Sequence, residues 1–460
     1  MSKLFRAMAI CMAAGALAIP AQAETLTDAM IAAYRNSHLL EKNQALLRAA
    51  DEDVAIAVAN LRPVISYVLN WGFNGTDAKI SSGQRVWTKT YSTSASLSLD
   101  FLLYDGGQRH ALLGIANETV LATRQALVMI EQQVLLDAVE AYVNVRLAQE
   151  IVTLRQSNMR LITEELEAVQ DRFEVGEVTR TDVSIAEASL AGARSDFAAA
   201  EGDLEIAREA YKAATGAYPG RLANLPRSPA ISRSLEDAQG FARKTHPLVR
   251  QGQHLVKVAD ISVELAAADA RPVIGIGGKL TPRFGSGSSY SADIGLNMSQ
   301  TIYSGGKTAA LRRQALAQKE VSRAELRQTV VDVEHQLGVA WASLDVARAS
   351  ITASELQISA AQDAFEGVRD EAELGVRTTL DVLDAEQTLL SARVTSVEAR
   401  ANQEVAVYRI LAAMGLMTVD HLQLGIPTYD PRIYYNAVKN APSRSAEGKK
   451  LDTLLKRYDR

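Results

Sequence analysis

The chain has 460 residues, a formal net charge of −5, 5% aromatic residues and one cysteine. Mild acidity gives no sign of a nucleic-acid partner, and a lone Cys11 excludes a disulfide framework. Ala, Leu, Val, Glu, Gln and Arg dominate, a composition that belongs to long helices.

Residues 1–23 read as a secretory signal peptide. Lys3 and Arg6 precede the apolar run Met8 to Ile19, and Ala21-Gln22-Ala23 is an A-x-A cleavage site. Cleavage makes Glu24 the first mature residue and removes Cys11, so the mature chain carries neither thiol nor acyl anchor. Export without crosslinks suits a Gram-negative envelope protein. No later stretch reaches the roughly 18 apolar residues of a membrane helix, so any entry into lipid must be as a β-barrel.

The chain repeats itself. Leu26-Thr27-Asp28-Ala29 returns as Leu235-Glu236-Asp237-Ala238, and Arg62-Pro63-Val64-Ile65 returns as Arg271-Pro272-Val273-Ile274. Tyr104-Asp105-Gly106-Gly107 returns as Tyr303-Ser304-Gly305-Gly306, and Val175-Gly176 as Leu374-Gly375. This divides the chain into a first repeat, 24–216, a Pro-rich linker, 217–234, a second repeat, 235–415, and a C-terminal segment with a polar tail, 416–460.

Within each repeat the period changes. Between Pro63 and Tyr104 it is two: Ile65, Tyr67, Leu69, Trp71 and Phe73 alternate with polar residues, as do Tyr91, Ala95, Leu97, Leu99 and Phe101. The spacing predicts strands at about 64–74 and 91–103, then 273–281 and 290–302 in the second repeat. The stretch is about ten residues longer in the first repeat, an excess expected in a loop around Thr76 to Thr90 that faces the medium. One apolar and one small or polar face is the pattern of outer-membrane barrel strands. An antiparallel sheet on a soluble core alternates identically; the export signal and the aromatics near strand ends favour lipid. Four strands cannot close a barrel, so the chain must share one with copies of itself, and three copies give twelve strands.

From Gly107 to Phe173 and from Gly306 to Ala372 the pattern is helical, about 67 residues each, or roughly 100 Å. Val330, Val333, Leu337, Ala340, Leu344 and Ala347 continue to Ala372 at alternating threes and fours, a coiled-coil seam with Ser354 as its polar exception. Val134 to Phe173 carries the matching seam, broken by Arg155. The fold class is therefore mainly α with a small β part: long coiled-coil helices plus four antiparallel transmembrane strands per chain. Tyr104, Gly106, Gly107 and Tyr303, Gly305, Gly306 mark strand-to-helix corners, where Gly supplies the turn. Gly305-Gly306-Lys307-Thr308 is not a phosphate loop, since position 301 is Thr301 rather than Gly. The histidines, His38, His110, His246, His254, His335 and His421, form no metal-ligand pair. No catalytic constellation and no cofactor motif appears.

Two repeats of helix, hairpin, long helix, turn and helix resemble the TolC family of outer-membrane efflux and type I secretion channels, over nearly all of the mature chain. The segment Gly375-Val376-Arg377-Thr378-Thr379-Leu380-Asp381-Val382-Leu383-Asp384-Ala385 is very similar to the family's second periplasmic turn. Tyr429-Asp430-Pro431 through Tyr434-Tyr435 and Val438 is similar to the C-terminal ending of members serving secretion and efflux. The resemblance implies a homotrimer with a twelve-stranded barrel in outer-membrane lipid and a helical tunnel in the periplasm. It also implies docking to an inner-membrane ABC or proton-driven pump through a periplasmic adaptor, a membrane fusion protein. The docking tips would be Val175, Gly176, Glu177 and Leu374, Gly375, Val376, at the deepest periplasmic point. The periplasmic gate would be Asp381, Asp384 and Arg377, with Asp182 and Thr181 in the first repeat. Asp182 and Asp381 also fit helix capping boxes, so capping alone and a part in the gate both stay open for them. Asp384 and Arg377 answer to Ile185 and Val178, so capping does not require them. Where the family has a constriction tyrosine, this chain has Ala372. The function expected is an export duct; a non-conducting coiled-coil envelope protein and a secreted adhesin are the alternatives.

Overall fold

A computed structural model describes residues 23–285, 288–440, 450 and 453. The signal-peptide reading, Ala23 apart, and most of the polar tail fall outside the described residues. In the first half α1 (Leu26–Asn36) and α2 (His38–Ala59) lead into β1 (Val64–Lys79) and β2 (Arg85–Tyr104), then α3 (Gln108–Glu174) and α4 (Arg180–Thr215). The second half repeats the order with α5 (Leu235–Thr245), α6 (Pro247–Ala268), β3 (Val273–Gly285), β4 (Ser289–Ser299), α7 (Lys307–Glu373) and α8 (Thr379–Ala413), and α9 (Pro431–Val438) follows. Two compact units emerge, one built around Val128–His246 and Asp332–Thr428, the other around Lys42–Leu127 and Pro247–Val331.

The first unit is helical. α3 and α7 are both 67 residues long, unbroken because no proline falls inside them. The seam of α7 is buried at Val333, Leu337, Ala340, Leu344, Ala347, Ala361, Phe365 and Ala372. Its polar member, Ser354, is buried too and donates to the Ile351 carbonyl at 3.0 Å, which satisfies the hydroxyl. In α3 the buried stripe widens: Leu135, Val139, Tyr142 and Val143 are covered as well as the seam. Glu24 and the linker lie over this stretch, and the Tyr142 hydroxyl lies 3.0 Å from the Glu24 carbonyl and 2.8 Å from that of Ala223. Arg155, the seam's exception, pairs with Asp196 at 2.8 Å.

The second unit carries one antiparallel sheet of order β1-β2-β3-β4. Its register gives it two unlike faces. Ile65 lies opposite Leu99, Tyr67 opposite Leu97 and Phe73 opposite Tyr91. Leu97 then pairs with Leu280, Phe101 with Ile276 and Ile276 with Leu296. Ser66–Ser98, Asn70–Ser94 and Lys279–Asp293 occupy the other face. The apolar face is bare: Trp71 is 79% exposed and Ile294 83%. A sheet on a soluble core would cover that face, and this one does not. The expected loop around Thr76 to Thr90 is instead mostly paired strand. The ladder runs on to Lys79 opposite Arg85, and only Ile80–Gln84 turns. Threonine, valine and tryptophan there suit a strand, Asp77 pairs with Arg85 at 3.1 Å, and the Trp87 ring lies across Gly75. β1, β2 and β3 thus outrun their period-two stretches, whereas β4 stops at Ser299, where the Gln300 amide turns to the Ala270 carbonyl.

In the same unit α2 and α3 share a small core of Leu47, Val54 and Val120, against which Tyr435 and Tyr429 pack. Tyr434 donates to Glu52 at 2.7 Å and Tyr435 to Asn117 at 2.9 Å, fixing α9 on these helices.

Candidate functional site

Two helical turns and two strand-to-helix corners hold the residues singled out in the sequence. The turns are near copies. Gly176 and Gly375 adopt φ of 80° and 78°, a left-handed conformation that glycine reaches without strain. Glu177 N–H donates to the Arg172 carbonyl and Val376 N–H to that of Glu371, each at 2.9 Å, closing a Schellman stop. Val175, Leu374 and Val376 protrude, Leu374 being 81% exposed.

The next helices begin with full capping boxes. Asp182 Oδ2 accepts from Thr179 N–H at 2.8 Å and from its hydroxyl at 2.6 Å; Asp381 Oδ2 does the same with Thr378 at 3.0 and 2.8 Å. These bonds hold both carboxyls below the usual carboxylate range, for Asp182 led by the Thr179 hydroxyl and for Asp381 by the Thr378 amide. Asp182 and Asp381 are therefore caps. Asp384, one turn on, is exposed and takes no part in the cap, and Thr181 is exposed in the first turn of α4. Arg377 spans the second turn to Glu371 at 2.8 Å, both half-exposed; an ion pair of that kind adds little stability.

A buried pair outside the residues singled out in the sequence lies on α3 and α8. Glu386 on α8 is 5% exposed and accepts from Asn158 Nδ2 on α3 at 2.7 Å. It adjoins a cluster of Ile162, Leu190, Ala193 and Leu383. Burial pushes its carboxyl up to about 7, against the Asn158 bond and with help from Glu165. The signal was in the sequence: Glu386 continues the stripe of Val382, Leu383, Leu389 and Leu390, where a carboxylate is out of place.

The corners differ in tightness. Gly106 and Gly305 turn at φ of 69° and 62°, followed by Gly107 and Gly306 at 94° and 89°. Around the first, Asp105 accepts from Arg109 Nε at 2.7 Å and Gly107 N–H at 3.1 Å, while Arg271 Nη1 donates to the Gly106 carbonyl at 2.7 Å. At the second, Ser304 stands in for Asp105, nothing presses on Gly305 or Gly306, and Tyr303 is exposed.

Among the described residues no helix is long and apolar enough to cross a membrane, and no group of side chains is set to hold a metal. A sheet with a bare apolar face and paired long helices, behind a chain repeated twice, define an outer-membrane export channel. Residues 31–217 and 241–416 match the outer membrane efflux protein family. The chain is 34% identical over 426 residues to the outer membrane efflux protein BepC of Brucella suis, covering 91% of each. It is 26% identical to the alkaline protease secretion protein AprF of Pseudomonas aeruginosa, over 80% of each. The CmeC outer membrane channel of Campylobacter jejuni shares its fold, with a TM-score of 0.75 at 16% identity, covering 91% of this chain and 90% of that one. The chain belongs to the outer membrane efflux protein family, that of TolC. It is an efflux and secretion channel of the outer membrane, a transporter and not an enzyme.

Proposed function

We propose that three copies of this chain close their sheets into one twelve-stranded barrel and line up their helices as a tunnel, the exit duct of an export system powered from the inner membrane. The supporting observation is the sheet, whose β1 and β4 edges have no strand neighbour among the described residues while one face is apolar and bare. Lipid satisfies neither edge, so closure needs more strands than one chain supplies. Val175–Glu177 and Leu374–Val376 are the surface for a periplasmic adaptor. Their exposed valines and leucine give such a partner an apolar hold. Asp384 and Arg377 gate the periplasmic mouth, Asp384 through its free charge and Arg377 through its hold on Glu371. Efflux is the preferred cargo class, since BepC, named for efflux, is more similar than AprF, named for protease secretion.

The deciding experiment combines mass measurement in detergent with single-channel recording in a planar bilayer. A trimer with discrete conductance steps is expected. A stable monomer that retains its barrel would overturn the closure argument. A trimer that never conducts, even with the turns disrupted, would make the protein a structural envelope component.

A further inference from the structure

The first hairpin runs on past the apolar band of the sheet, and its charges are sorted by face. Phe73 and Tyr91 stand opposite each other on the apolar face with ring centroids 5.2 Å apart. Trp71 and Phe284, level with each other across Thr93, lie two residues nearer the helices. Such a row of exposed aromatics marks the boundary of a hydrocarbon layer. On its helix side the apolar face carries no charge, since Asp100, Lys279, Arg283 and Asp293 occupy the opposite face. Beyond the row, the alternation that places Phe73 and Tyr91 on the apolar face also places Asp77, Lys79, Arg85 and Lys89 there. Arg85 is paired with Asp77. Lys79 and Lys89 are exposed and form no ion pair among the described residues. The other face of this stretch, Asn74, Thr76, Ala78, Val86, Thr88 and Thr90, is uncharged. Cations placed for a passing cargo would line the lumen of the closed barrel; these stand on its lipid side.

Their height narrows the choice of lipid. With barrel strands tilted by about 40°, Lys89 stands about 5 Å beyond the aromatic row and Lys79 about 15 Å. A phospholipid headgroup layer is only about 5–8 Å deep, so it reaches Lys89 and not Lys79. Between the two lysines Trp87 is 59% exposed, with its ring across Gly75. That ring offers a flat π surface on which the C–H groups of a sugar can rest.

We propose that this face of the first hairpin binds a phosphorylated glycolipid of the outer leaflet, with Lys89 on a phosphate near the acyl chains, a sugar on Trp87 and Lys79 on a phosphate farther out. The site rests on the barrel reading above, with the hairpin turn on the outer side. In the test the full-length protein in detergent is titrated, by native mass spectrometry, with three lipids: lipopolysaccharide, the same lipopolysaccharide stripped of phosphate, and phosphatidylglycerol. Lipopolysaccharide should bind about 25-fold tighter than its stripped form, about fivefold for each lysine, and about fivefold tighter than phosphatidylglycerol, which reaches Lys89 alone. Lys79→Gln with Lys89→Gln should abolish the advantage over the stripped form, while Lys279→Gln, which removes a cation from the other face, should leave it intact. Equal affinity for lipopolysaccharide and either of the other lipids would overturn the proposal. So would an advantage that survives in the double variant, or one lost equally in Lys279→Gln. The mass of the complex keeps the two readings apart: a single chain with the same lipid preference would overturn the shared barrel and support this site.

Discussion

Glu386 sits at a junction of α3 and α8 where its hydrogen bond comes from Asn158 and no cation among the described residues pairs with it. Its carboxyl is held near 7 in the fold, against an ordinary value of 4.5. The folded state therefore keeps its proton where the unfolded chain has lost it. Below the ordinary value both states are protonated and the pH-dependent cost is absent; between about 4.5 and about 7 stability falls as pH rises, and above that the full loss is present. The loss is on the order of 3 kcal/mol per chain. Glu386→Gln keeps a partner for Asn158 and carries no charge. Its thermal midpoint should match the parent at pH 4 and exceed it increasingly up to pH 7; a constant offset at every pH would mean that Glu386 does not titrate there. At the turn, Asp381 and Asp384 are set apart by their partners. Asp381 is tied into its cap by two hydrogen bonds, whereas Asp384 is exposed. Asp384→Asn should therefore take away most of the cation selectivity, read as reversal potential in a salt gradient, and Asp381→Asn less. The opposite ranking would remove Asp384 from the mouth.

At the scale of elements, the two strand-to-helix corners share a backbone conformation but not surroundings. A Cβ on Gly106 would come within 2.6 Å of Arg271 Cβ and 3.0 Å of the Ala268 carbonyl, while one on Gly305 would meet nothing. Both changes to alanine carry left-handed strain of about 1–2 kcal/mol. Only Gly106→Ala adds a collision with backbone. It should sharply lower the yield of folded channel in the outer membrane, with Gly305→Ala close to normal; equal losses would show that strain alone decides. Element identity was legible in the sequence because periods of two and of about three and a half are local, and the Gly stops and capping boxes are written in a few adjacent residues. Strand ends were not. Whether Thr76–Thr90 pairs or loops depends on what lies across the hairpin, such as Trp87 over Gly75 and Asp77 beside Arg85. The Asn158–Glu386 pair joins the two repeats, and no periodicity within one repeat reveals a partner in the other.

For the whole molecule, the first hairpin is the longer, and its turn at Ile80–Gln84 is exposed, with Gly83 at φ of 86° and open space about it. An epitope inserted at Ser82–Gly83 should be reachable on intact cells without loss of assembly. Labelling only after permeabilisation would reverse the orientation of the barrel.

The sheet has a further consequence in time. β1–β2 and β3–β4 are local hairpins, but the central seam, where Leu97 meets Leu280, joins one half of the chain to the other. Local pairs form in microseconds, and a pairing so distant along the chain is slow. The first hairpin must therefore wait, apolar on one face and unpaired on both edges, until the second half has been delivered. This interval is the chain's most aggregation-prone stage. A chain cut after Thr215 would remain in it, with a formed hairpin and nothing to close against.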